Sequence, residues 1–151
     1  MTDRVIVATF NDSNAAYDAA SALKKLKDTG SVDFEMKTGV MVTKDDRGNL
    51  RLLEEKDRPL WGTGVGTVSG ALIGLLAGAP GAAVGAAIGA MAGLTGDAVM
   101  ATMDSDFVDS VTNDMKPGMT AIVVEADEKS TRPVDDIVAL KGGHVYRQAV
   151  Q

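Results

Sequence analysis

Residues 60–96 read LWGTGVGTVSGALIGLLAGAPGAAVGAAIGAMAGLTG, a run of 37 residues with no Asp, Glu, Lys, Arg or His. Two glycine series lie in register within it. Gly66, Gly70, Gly74 and Gly78 are four apart, and so are Gly81, Gly85, Gly89 and Gly93. Pro80 stands between the series and cannot continue a helix. The pattern predicts two helices of roughly 17–20 residues with a tight turn at Ala79-Pro80-Gly81. Positions four apart drift slowly around a helix, so each helix presents one groove of glycines along its length. Without Cβ atoms, two helices approach closer than the usual spacing of about 8–10 Å and gain backbone dispersion contacts.

Such helices need support. Each glycine costs about 1 kcal/mol of helix propensity relative to Ala, so eight cost on the order of 8 kcal/mol. The bilayer or a self-assembled helical core can offset that. Residues 61–79 span about 28 Å as a helix, close to the hydrocarbon thickness. Arg58 and Trp61 sit where an interfacial anchor belongs. Yet between Gly62 and Gly96 only 10 residues are Val, Ile, Leu or Met, worth about −3 to −6 kcal/mol on insertion. The hairpin tip has no polar residue, and the following flank is acidic (Asp97, Asp104, Asp106). Lipid and a lipid-free oligomeric core both remain as neighbours of the hairpin. Either leaves helix faces that call for partners, so a homo-oligomer is expected.

Working outward, all the charge lies in the flanks. The chain has 151 residues and a net charge of −6, with 17 Gly, no Cys and one His. The acidic balance gives no electrostatic footprint for nucleic acid. The absence of Cys removes disulfides, thiolate catalysis and zinc–thiolate clusters. With His144 as the only imidazole, a histidine-based catalytic design has little to work with, so no enzyme, metal or cofactor is expected. Residues 1–10 carry no secretory pattern, which places the soluble part in the cytoplasm.

The flanks read as one interrupted domain. Residues 4–10 (RVIVATF) form a buried strand, and Asn11, Asp12 and Ser13 can cap the next helix. Ala16, Ala19, Ala20, Leu23 and Leu26 keep helical spacing, and Gly30 stops the helix. Phe34, Met36, Val40 and Val42 alternate as one half-buried strand face. Residues 44–49 have turn chemistry, and Leu50 and Leu52 begin the return strand. After the run, Val99, Met100, Met103, Phe107, Val111 and Met115 form a helical stripe, with a cap at Asp104 or Ser105 and a stop at Pro117-Gly118. Residues 119–126 form a strand, 131–141 a short helix and 144–150 a last strand. The predicted fold is α+β: a ferredoxin-like βαββαβ domain plus a C-terminal α-β, interrupted by the apolar hairpin. Residues 1–59 and 97–151 form the discontinuous soluble domain and 60–96 the hairpin. Right-handed crossovers would put both main helices on one face.

Other motifs read plainly. Residues 62–70 suggest a dinucleotide loop but follow no buried strand, and the third glycine of that fingerprint is missing. Asp97, Asp104, Asp106, Asp109 and Asp114 read as a solvated helix face with an N-cap, and the methionines as core filler. His144 begins a strand with no second ligand in view.

The quoted hairpin, residues 5–10 (VIVATF), the Asp104-Ser105-Asp106-Phe107 block and Lys116-Pro117-Gly118-Met119-Thr120-Ala121 together resemble an uncharacterised bacterial and archaeal family. It is a domain of unknown function whose members are described as predicted membrane proteins, loosely similar to general stress proteins. The resemblance implies membrane association or a stress-linked role, and supplies no catalytic residues. The expected function is a non-enzymatic, self-associating structural protein at the cytoplasmic face of the cell membrane. Its hairpin glycines are the packing residues, itself and membrane lipid its partners. The alternatives are a soluble shell, ring or tube with hairpins packed on each other, and a ligand-sensing module.

Overall fold

The computed structural model describes residues 2–30, 32–47, 50–52 and 104–149. The hairpin expected over 60–96 lies outside them, as do the expected sites Gly66, Gly70, Gly74, Gly78, Gly81, Gly85, Gly89, Gly93, Arg58 and Trp61.

The described chain is α+β. It runs β1 (Thr2–Phe10), α1 (Ser13–Asp28), β2 (Phe34–Lys44), β3 (Leu50–Leu52), α2 (Ser105–Asp114), β4 (Thr120–Glu128), α3 (Arg132–Leu140) and β5 (His144–Ala149). The strands form one sheet in the order β3-β2-β4-β1-β5, with every pairing antiparallel. Asp12 caps α1, its side chain accepting from the Ala15 N–H at 2.8 Å. Asp104 caps α2 through the Asp106 N–H at 2.9 Å. These caps satisfy backbone donors that a helix start leaves unpaired. The turn after α2 ends at Gly118, whose φ of +88° suits glycine. Its N–H donates to the Lys44 carbonyl at 2.7 Å, which ties the turn to β2.

Alternation along β1 divides the core in two. Ile6, Ala8 and Phe10 join Ala16, Ala19, Ala20 and Leu23 of α1 and Val134 and Val138 of α3. Val5 and Val7 join Phe107 and Val111 of α2 and Met115 just after it. So α1 and α2 lie on opposite faces of the sheet, not on one, and α1 shares its face with α3. The reason is strand order. β1 sits between β4 and β5, so the helix on α1's side is the one linking β4 to β5.

The face reading of β2 is also corrected. A register shift between Met36 and Thr38 inserts one residue. Phe34 and Met36 therefore face α1, while Val40 and Val42 face the α2 side. A bulge of this kind reverses every side chain beyond it.

Candidate functional site

A polar cluster is built where α2 ends against β1 and β5. Asp114 is the last residue of α2. Thr9 and His144 are partners across β1 and β5, and Tyr146 pairs with Val7 on the same side. All three side chains converge on one oxygen. The Thr9 hydroxyl donates to Asp114 Oδ2, the Tyr146 hydroxyl donates to it at 2.9 Å, and His144 Nδ1 lies 3.2 Å away. Thr9 is buried and the Asp114 side chain is mostly covered, whereas the His144 side chain is 67 % exposed.

A carboxylate at a helix C-terminus faces the negative end of the macrodipole, and α2 has no basic residue in its last turn. The three donors offset this. Burial pushes the Asp114 carboxyl up, but hydrogen bonds from Thr9, Tyr146 and His144, with the charge of His144, hold it below the usual value. Burial and the neighbouring carboxylate push the Tyr146 hydroxyl up. Lys44 Nζ donates to the Met115 carbonyl at 2.9 Å, adding a cation where the helix ends. Asp114 lies within hydrogen-bond distance of Nδ1 of the His144 ring, whose side chain stands mostly in solvent. The Thr9 and Tyr146 hydroxyls are both committed to the carboxylate. Among the described residues no group of three or more His, Cys, Asp or Glu side chains could hold a metal ion.

A second cluster closes the α1 and α3 face at the opposite end of the sheet. Glu128 has a fully buried side chain. Arg147 Nε reaches Glu128 Oε1 at 2.8 Å and Nη2 reaches Oε2 at 3.1 Å, a fork that matches a carboxylate. Arg4 Nη1 lies 3.4 Å from Glu128 Oε1, and Arg147 Nη1 lies 2.7 Å from Asp135 Oδ1. Burial pulls the Arg147 guanidinium down, but Glu128 and Asp135 together raise it above its ordinary value.

The sequence reading missed both clusters. Asp114 is not simply part of a solvated face, and His144 does have a partner. Asp106 and Asp109 are exposed as expected. Two signals were present: an Asp at the wrong end of a helix dipole, and a Thr inside an otherwise apolar strand. The partners are distant in sequence, so only the sheet order joins them.

A family model described as a protein of unknown function (DUF1269) matches residues 60–151. No curated protein and no solved structure matches the chain. Among the described residues no helix is long and apolar enough to cross a membrane.

Proposed function

The chain belongs to that family, and from this premise we propose that it is a non-enzymatic, self-associating structural protein. Its soluble part is a ferredoxin-like frame of β1, α1, β2, β4, α3 and β5, with β3 and α2 added. The order β2-β4-β1-β5 and the shared face of α1 and α3 support that reading. The hairpin of residues 60–96 joins copies through its glycine grooves, with Gly70, Gly74, Gly85 and Gly89 at mid-helix where packing is tightest. The bilayer at the cytoplasmic face is its setting, with Arg58 and Trp61 as the interfacial anchor.

The observation that carries the reading is the pair of in-phase glycine series within a charge-free run. The family match begins at the start of this run and continues through β5. It therefore takes in both the glycine-rich run and two of the five described strands, β4 and β5. A second reading keeps the copies free of lipid, as a soluble ring, shell or tube. The small number of large aliphatics, 10 between Gly62 and Gly96, favours it, because it makes insertion into a bilayer marginal.

The test is Gly74→Leu and, separately, Gly85→Leu. A leucine side chain in the groove holds the helices apart. Native mass should fall toward the 15.6 kDa of one chain, while circular dichroism of the sheet domain stays unchanged. An unchanged native mass in both variants would contradict the proposal.

A further inference from the structure

The C-terminal end of α2 gathers negative charge. Asp114 is its last residue, and its last turn holds no basic side chain. The carbonyls that end a helix carry the negative pole of its dipole. Two basic side chains reach this end from other elements. Lys44 of β2 donates through Nζ to the Met115 carbonyl at 2.9 Å. His144, the first residue of β5, brings Nδ1 to 3.2 Å from Asp114 Oδ2. A lysine ammonium is charged throughout the neutral range, whereas an imidazole changes charge between about pH 5 and pH 8. His144 is the only histidine in the chain.

The groups around the ring define what its proton does. Burial pushes the Asp114 carboxyl up, but the hydrogen bonds from Thr9, Tyr146 and His144 hold it below its ordinary value, so it is ionised before an imidazole titrates. An ionised carboxylate only accepts hydrogen bonds. Nδ1 therefore carries the proton of the neutral ring, and Nε2 is the nitrogen that gains one in acid. The Thr9 hydroxyl of β1 has no charge to change. Burial and the carboxylate push the Tyr146 hydroxyl of β5 up, so it keeps its proton. Arg4 and Arg147 of the same two strands are engaged with Glu128 on the other face. Asp106 and Asp109 stand exposed earlier in α2, and Lys116 stands exposed just beyond it.

We propose that His144 is a pH-graded latch on the end of α2: its protonated ring supplies, in mild acid, positive charge to the helix end and gives it up as pH rises past neutrality. The hydrogen bond to Asp114 is kept in both states, and the charge on its donor is what changes. The element affected is α2, which lies over Val5 and Val7 through Phe107 and Val111. The latch does not depend on how copies of the chain associate. Water around the exposed ring screens the pair, so the effect is a few-fold one.

Hydrogen exchange in the full chain tests this. The amides of residues 111–114 are followed from about pH 5.5 to about pH 8 and corrected for the intrinsic pH dependence of exchange, with the amides of α1 as the reference. Protection at the end of α2 should fall about three- to tenfold over that range, while α1 stays level. His144→Gln offers a donor that stays neutral and should hold the profile flat at its high-pH value. His144→Lys keeps a positive charge throughout and should hold it flat at the low-pH value. Nitrogen NMR of the wild-type ring at about pH 8 should find the proton on Nδ1. A wild-type profile without the fall, a fall of the same size in either variant, or a neutral ring protonated on Nε2 would each overturn the proposal.

Discussion

The two faces of the sheet are built differently. The α1 and α3 face is covered by two helices, one of them the 16-residue α1. Its core joins small alanines of α1 to Phe10, Ile122 and Leu23. It is closed by a buried carboxylate held in the fork of Arg147. Among the described residues the α2 face carries one helix, of 10 residues, with Asp104 as its N-cap and Asp114 as its last residue. That helix is held by Phe107 and Val111 below and by the three donors on Asp114 at its end. The first face is secured by matched charges out of water, the second by hydrogen bonds at the rim. Breaking a buried pair costs far more than weakening a rim contact. The first face is therefore the stable base of the fold. The second is the one that yields first.

The largest effect should come from Arg147→Met. It leaves Glu128 buried with only the longer contact to Arg4. Loss of a partner in a buried pair costs about 3–5 kcal/mol. Denaturant unfolding should show a loss near the lower end, since the Arg147 side chain is 18 % exposed. A loss below about 1 kcal/mol would remove the contrast between the faces.

Gly143→Ala should come next, on the same face. A Cβ there would lie 2.6 Å from the Phe10 ring and 2.7 Å from both the Thr9 carbonyl and Val138. Two of those neighbours are a backbone atom and a packed aromatic ring, so the strain cannot relax cheaply. Overpacking of this kind costs about 1–3 kcal/mol, read as a lowered melting temperature.

Asp114→Asn should have the smallest effect, about 1 kcal/mol after allowing for its partial exposure to water. Its pH dependence sharpens the comparison. The folded carboxyl is held below its ordinary value, so the unfolded chain binds the proton more readily. The ionised group therefore adds stability above the unfolded pKa of about 3.9, and the gain fades as pH falls through the lower folded value. The difference between wild type and variant should be full at neutral pH and vanish in acid. Amide exchange should show α2 opening more often in the variant at neutral pH while α1 keeps its protection.

Most elements were legible in the sequence because local signals carry them. Asp12 before an alanine stripe marks α1, Pro133 marks the start of α3, and the two β-branched runs mark β1 and β4. What local signals do not carry is which face each residue meets. The bulge at Lys37 reverses the β2 pattern without any Gly or Pro at that position. The pairing of β1 with β5 decides that α3, and not α2, lies beside α1. The Asp114 cluster depends on that same pairing, which brings His144 beside Thr9. The Glu128 network likewise joins β1, β4, α3 and β5, whose members are too far apart in sequence for any spacing rule to link them.

The most direct test of self-association is the native mass of the full chain in a detergent-free lysate, read across a density gradient so that buoyancy is recorded with it. The account predicts a discrete species at a multiple of 15.6 kDa. It would rise with lipid if the bilayer is its setting, and stay dense if the copies bury their hairpins against one another. A dense species at the mass of a single chain would contradict it.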